Sequence, residues 1–171
     1  MRYFIYCASL ALVVFSNGVL AKQSVMLPSN DQNGMHIQSG LRLEKSHWVL
    51  WTSLKAQAYN PNGFITGDFI PYCQVSYQLK RVAAKTITQG QLPMRLTMNG
   101  PEYGHVIQLA KPGVYQLTIR YISPKNNGFY RHIDKATGVS PWWQPFSRHY
   151  QVQLGANACI SKVTLVKGDK Q

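Results

Sequence analysis

The sequence is poor in acidic residues and lacks the motifs that mark common enzyme classes. Its 6 acidic residues stand against 18 lysines and arginines, so the formal net charge is +12. No serine, histidine and aspartate group has a nucleophile context, and no glycine-rich phosphate loop occurs. The basic residues are scattered, with no run longer than Lys80-Arg81. We therefore expect neither an enzyme nor a nucleic-acid partner, but a diffuse positive field that favours anionic surfaces or an acidic partner protein.

Long apolar runs are absent beyond the N-terminus. Arg2 precedes an uncharged, largely apolar stretch at residues 3–15, and the small residues Val19 and Ala21 occupy the −3 and −1 positions of a cleavage site. This layout predicts a signal peptide at residues 1–21, with an uncleaved anchor as the alternative. We therefore expect an exported, periplasmic protein whose mature chain is soluble.

Cysteine is scarce as well. Of the three cysteines in the chain, Cys7 belongs to the predicted signal peptide, so only Cys73 and Cys159 remain after export. An even pair in an oxidising compartment is typical of a disulfide, which requires Cα atoms within about 7 Å. We predict a Cys73–Cys159 disulfide, with two buried free thiols as the alternative.

Helical periodicity is absent from the mature chain, whereas short alternating strands recur between turn residues. Leu50 and Leu54, for example, alternate with Val49 and Trp51, as on the two faces of a half-buried strand. This pattern predicts an all-β, immunoglobulin-like antiparallel β-sandwich at residues 35–171, after a polar, loosely held arm at residues 22–34. The predicted strands are 35–43, 48–58, 69–79, 114–122, 149–154 and 162–166.

Three ordered segments carry a resemblance to a known family. The first contains Asn-Gly-Phe from Asn62 and Gly-Asp-Phe-Ile-Pro-Tyr from Gly67. The second is Pro-Met from Pro93, followed by Asn-Gly-Pro-Glu-Tyr-Gly from Asn99. The third joins Arg-His-Ile-Asp, from Arg131, to a Trp-Trp-Gln-Pro-Phe stretch. Together they resemble the periplasmic ferrous-iron-transport protein family over nearly the whole mature chain.

The resemblance implies a set of properties. Members of that family have an immunoglobulin-like sandwich, form homodimers, and bind copper or manganese as well as iron. They are thought to work beside an inner-membrane iron permease. Trp142 and Trp143 match a tryptophan pair of the family, and we interpret them as residues of the core or of the dimer contact.

The resemblance carries over only part of the family's metal site. That site combines imidazole, thioether and carboxylate ligands, a mixture that suits copper and iron ions. The histidine of Arg-His-x-Asp is kept as His132. A His-x-Glu ligand pair falls on Val49 and Trp51, which are not metal ligands. The histidine of the second segment's loop is replaced by Glu102.

The remaining ligand of the family is a methionine. It falls on Met94 if one residue is inserted before the loop, and on Arg95 otherwise. His47 lies two residues before Val49 and so shares its face of the strand. We predict a rebuilt site for copper or iron, with manganese as a further candidate; its ligands are His132, Glu102, Met94 and His47, with Met98 and His105 as nearby donors. Each predicted ligand has a structural alternative. His132 could anchor a turn with Asp134, Glu102 could be a solvated loop charge, and Met94 could fill the core. His47, Met98 and His105 could be surface or structural residues.

Two functions of different classes remain open. The first is an exported metal-binding protein that assists ferrous-iron uptake, or copper uptake, by binding the ion and handing it over. The second is a sandwich without metal that serves as a basic protein-interaction or envelope-structural module. The loss of the His-x-Glu pair motivates this second hypothesis. A chaperone or pilus-type role would rest on fold analogy alone.

Overall fold

The computed structural model of the chain describes residues 23–84, 86–109, 111–157 and 159–166. The predicted signal peptide at residues 1–21 lies outside the described residues. One short 3-10 helix, Pro124–Asn127, interrupts the strands. Within the described ranges, no helix has the length and apolar character needed to cross a bilayer.

Two antiparallel sheets form the fold. The strands are β1 (Ser24–Met26), β2 (Asn30–Gln32), β3 (Met35–Glu44), β4 (His47–Ala56), β5 (Gln74–Arg81), β6 (Ile87–Gln91), β7 (Met94–Thr97), β8 (Gly100–Ile107), β9 (Gly113–Ile122), β10 (Phe146–Leu154) and β11 (Ile160–Val166). Sheet A has the strand order β1-β3-β4-β8-β7, with β2 also paired to β3, and sheet B has the order β11-β10-β9-β5-β6. The predicted all-β sandwich is confirmed.

The core lies between the sheets because each long strand turns an apolar face inward. Along β4, Leu50 and Leu54 face inward and are fully buried. Along β9 the inward residues include Leu117 and Ile119, with 1% and 0% of their surface exposed. Burying each aliphatic side chain of this size contributes about 1.5–3 kcal/mol. The outward side chains of β4 lie on the opposite face of sheet A, away from the core.

The N-terminal arm is held by the sheet, so the prediction that it is loosely held is wrong. Both short strands pair with the side of β3 that faces away from β4. Strand β1 pairs with the C-terminal half of β3, and β2 pairs with its beginning. The backbone N–H of Leu43 donates to the carbonyl of Gln23 over 2.8 Å, and Leu27 is buried. The long β3 leaves an edge of unpaired N–H and C=O groups, and the arm satisfies these groups.

The predicted disulfide is wrong, because Cys73 and Cys159 are both free thiols. Cys73 directly precedes β5, beside the end of β9 at Ile122. Cys159 directly precedes β11, at the side of sheet B where β9 begins with Gly113. These two ends of β9 are separated by a ten-residue strand, or about 30 Å at 3.3 Å per residue. No disulfide spans that distance.

Candidate functional site

The positions that correspond to the family's His-x-Glu pair lie on the outer face of sheet A. Register pairing places Val49 opposite Arg42 of β3, and Trp51 between Gly40 of β3 and Gly104 of β8. The two glycines make room for large neighbours. A Cβ atom on Gly40 would lie 2.7 Å from the Trp51 indole nitrogen, and one on Gly104 would lie 2.8 Å from an arginine Nε. A broad, flat region is thereby filled by side chains from three strands.

The arginine beside Gly104 is Arg95, and it shares the Glu102 carboxylate with Arg42. Nη1 and Nη2 of Arg42 donate to the two oxygens of Glu102 over 2.9 and 2.6 Å, and Nε of Arg95 donates to Oε1 over 2.8 Å. Nη2 of Arg95 lies 2.7 Å from the same oxygen, without the alignment of a second hydrogen bond. Glu102 is only 4% exposed. Both of its oxygens are therefore held by guanidinium groups.

Glu44 completes the cluster. Arg42 Nε donates to Oε1 of Glu44, and Arg95 Nη2 lies 3.7 Å from that oxygen. We call Arg42, Glu44, Arg95 and Glu102 the ion network. Hydrogen bonding to Glu102, and then to Glu44, raises the pKa of Arg42 above its already high value. Two permanent cations and two carboxylates balance one another, so the ion network has no surplus negative charge that would attract a metal cation.

The residues at this position do not fit a metal ion. Val49 has no donor atom, the Trp51 indole can only donate a hydrogen bond, and arginine remains charged at any physiological pH. An ion that bound Glu102 would have to displace a guanidinium group, and leaving a buried charge without its partner costs about 3–5 kcal/mol. A closed set of ion pairs therefore surrounds the positions that the resemblance assigns to the His-x-Glu pair.

Met94 lies on the other face of sheet A. In the β7–β8 pair, Met94 is opposite Tyr103, whereas Arg95 is opposite Glu102. Since side chains alternate between faces, Met94 points away from Glu102 and Arg95 points towards it. Arg95, the position that the ungapped alignment gives, is therefore the one beside Glu102. The segment expected to be a loop at Glu102 is instead the start of β8.

His47 is also distant from Glu102. It opens β4, where its exposed ring Nδ1 lies 3.0 Å from the Lys45 carbonyl oxygen. Thr52 of β4 lies opposite Tyr103, the neighbour of Glu102. His47 precedes Thr52 by five residues, so it lies about 17 Å from that position along the extended strand.

His132 is exposed and lies in the irregular segment 128–145. Its Nε2 is 3.0 Å from the Thr137 hydroxyl. The Asp134 carboxylate accepts hydrogen bonds from the backbone N–H groups of Ala136 and Thr137, and these bonds lower the pKa of Asp134. The structural alternative of a turn around Asp134 is therefore present, while the His132 ring stays open to solvent.

The predicted ligands do not form one cluster within a single chain. Among the residues that the structure describes, no three histidine, cysteine, aspartate or glutamate side chains are close enough to share an ion. Met98 in the β7–β8 turn and His105 on β8 are both exposed. Sequence reasoning missed Arg42, which is sixty positions from Glu102. The only signal for Arg95 was the ungapped alignment.

Comparisons with known proteins relate this sandwich to metal-handling proteins. A family model described as Fe2+ transport protein matches residues 10–155. A UPF0423 protein of Brucella abortus is 37% identical over 105 residues, which is 60% of this chain and 58% of the relative. The 34 kDa membrane antigen of Treponema pallidum is 24% identical over 121 residues, 69% of this chain and 53% of that protein. The chain thus spans little more than half the length of these relatives.

Solved structures give the same fold. The copper-reconstituted P19 protein of Campylobacter jejuni matches with a TM-score of 0.70 and 28% identity, over 77% of this chain and 96% of that one. A copper-bound variant of FetP from uropathogenic Escherichia coli matches with a TM-score of 0.70 and 26% identity, over 77% and 97%. Copper is therefore an ion that these structural neighbours hold.

Proposed function

Because this chain belongs to the Fe2+ transport protein family, we propose that it is an exported accessory protein of ferrous-iron uptake. In this proposal it enters the periplasm with loss of residues 1–21 and forms a homodimer. It binds iron, with copper as an alternative ion, and hands the ion to an inner-membrane iron permease. The family match over residues 10–155, on a sandwich like that of copper-bound P19, is the observation that carries the proposal.

The proposed donors are those that solvent reaches. The His132 ring is exposed and has one hydrogen-bond partner, the Thr137 hydroxyl. The Met94 side chain is 47% exposed and lines a shallow cleft with Cys73 and Asn127. Imidazole and thioether suit copper and ferrous iron. A small number of exposed ligands holds an ion loosely, as a protein that passes its ion on requires.

The other two predicted ligands have secondary places in the proposal. Glu102 joins an ion only if Arg42 or Arg95 releases it, and His47 lies too far along β4 to join Glu102 in the same chain. Since one chain does not gather three histidine, cysteine or carboxylate donors among its described residues, we propose that the second subunit of the homodimer supplies the remaining ligands. This part of the proposal rests on the homodimer that the resemblance to the family implies.

The ion network favours a second candidate function. A sandwich whose family metal position is closed by arginines, and whose formal net charge is +12, is suited to bind an anionic partner without any metal. In that case the chain is a basic interaction module of the cell envelope. Its partner binding would weaken as added salt screens the charges.

Metal retention separates the two functions. The mature chain is loaded separately with Cu(II), Mn(II) and Fe(II), the last without oxygen, and the metal per chain is counted after desalting. Retention that is lost in His132→Ala, and kept in the control His36→Gln, whose ring pairs with Asp31 of β2, supports the first function. Retention of no ion by the unaltered protein contradicts it and favours the interaction module.

A further inference from the structure

A second region of the chain has the features of a binding site. A cavity of about 710 Å³ lies between the end of β9, the 3-10 helix and the irregular segment 128–145. Ligand cavities are typically about 300–1,000 Å³. We call it the tryptophan cavity; its lining includes Ser123, Lys125, Tyr130, Arg131, Trp142 and Trp143.

Its charge is of one sign. Lys125 and Arg131 line the cavity, no carboxylate does, and neither cation forms an ion pair within the described part of the chain. The acid nearest in sequence, Asp134, is bound by the N–H groups of its own turn. Arg131 donates through Nη1 to the Val139 carbonyl over 2.7 Å. That bond holds the guanidinium in place and leaves its other N–H groups for a ligand.

Two indole N–H groups in the wall lack acceptors. Nε1 of Trp142 and Nε1 of Trp143 are buried without a hydrogen-bond partner among the described residues, and Trp143 is only 8% exposed. Leaving a buried donor unpaired costs about 1–3 kcal/mol. The nitrogens themselves are covered by protein atoms, so the two tryptophans offer a ligand their ring surfaces and not their N–H groups. Trp51 has the same unpaired N–H beside Gly40, away from the cavity.

We propose that the tryptophan cavity binds a small organic carboxylate. The Arg131 fork matches a carboxylate group in shape and charge, and Lys125 adds a second cation. The wall also contains Tyr130, Ile133 and the two tryptophans, which would remain unfilled around a compact inorganic anion. The ligand therefore has an apolar or aromatic body and a carboxylate head. This inference does not depend on the proposed metal function.

Benzoate and its neutral analogue benzamide test the proposal. Calorimetric titration is made on the full mature chain after passage over a chelating resin, so that no metal contributes. We expect benzoate to bind at least about tenfold more tightly than benzamide, the difference that one charge-assisted hydrogen bond gives. In nitrogen-labelled protein, two of the four tryptophan indole N–H signals should move with benzoate. Equal affinity for the two probes, or no binding of benzoate, overturns the proposal.

Charge variants locate the site. Arg131→Gln should weaken benzoate binding about tenfold, and Lys125→Gln about two- to fivefold. Lys80→Gln removes the same charge from the exposed side of β5, outside the cavity, and should leave binding unchanged. Because Arg131→Gln also breaks the bond to Val139, Lys125→Gln provides the independent test. If the Lys80 and Lys125 variants have equal effects, the binding reflects only net charge, and the proposal is wrong.

Discussion

The ion network on sheet A and the tryptophan cavity both contain arginine, but their polar groups are paired differently. In the ion network each guanidinium has a carboxylate within hydrogen-bond distance, and the four charges cancel. In the cavity, Arg131 has no carboxylate partner among the described residues and donates to a backbone carbonyl with one of its N–H groups. The first region is complete without a ligand. The second leaves bonds that a ligand can make.

The two regions differ in whether their cations are already paired. At the positions that the resemblance assigns to the family's His-x-Glu pair, two arginine side chains fill the space and neutralise Glu102. In the tryptophan cavity, Lys125 and Arg131 lack carboxylate partners among the described residues. What the chain binds is therefore better inferred from which polar groups lack partners than from the number of conventional ligands in its sequence.

The largest expected effect comes from breaking the ion network. Glu102→Gln keeps the size of the side chain but leaves two guanidinium groups without their shared charge. We expect the free energy of unfolding to fall by about 3–5 kcal/mol, as when one partner of a buried ion pair is removed. Urea denaturation measures it. The exposed Asp31→Asn, which removes an acid from the same sheet, should have a much smaller effect; equal effects would mean that the network is not a closed unit.

A smaller effect tests the packing that supports the network. In Gly40→Ala the new methyl group would meet the Trp51 ring at 2.7–2.8 Å, and this ring lies beside Arg42, 5.8 Å from its guanidinium carbon. Overpacking of this kind costs about 1–3 kcal/mol. Gly155→Ala, whose nearest contact would be 3.2 Å from the Asn157 side-chain oxygen, is the control. Unfolding midpoints that fall equally in both variants would contradict the account of Gly40.

The smallest effect concerns the two free cysteines. Burial raises the pKa of the Cys73 thiol to about 12, so at pH 8 very little of it is thiolate, and this fraction grows as pH rises. Cys159 is partly exposed. We expect iodoacetamide to modify Cys159 first, without prior reduction, and Cys73 only slowly. Mass spectrometry of the peptides checks this order, and protection of both residues until a reductant is added would instead support the disulfide.

The sequence predicts the fold better than it predicts the site, for physical reasons. Strand β9 alternates between buried and more exposed residues along its length, and this alternation is visible in the order of the amino acids alone. Strand β4 is recognisable instead by its concentration of apolar, aromatic and β-branched residues. Strands β6, β7 and β8 were missed because they are short or weakly alternating. The ion network depends on register: Arg95 meets Glu102 only because the β7–β8 hairpin pairs them, and Arg42 arrives from the opposite side of β4. Side chains brought together by register leave no local signal.

The central claim is that the ion network closes the family's metal position, so that any ion binds at exposed donors instead. Its most direct test is titration of Cu(I) under reducing conditions into nitrogen-labelled protein, because this ion is diamagnetic. The account predicts that the Nε–H signals of Arg42 and Arg95 stay in place while the ring signals of His132 shift. Loss or large movement of the two arginine signals, with His132 unchanged, would show that the ion enters the network and would contradict the account.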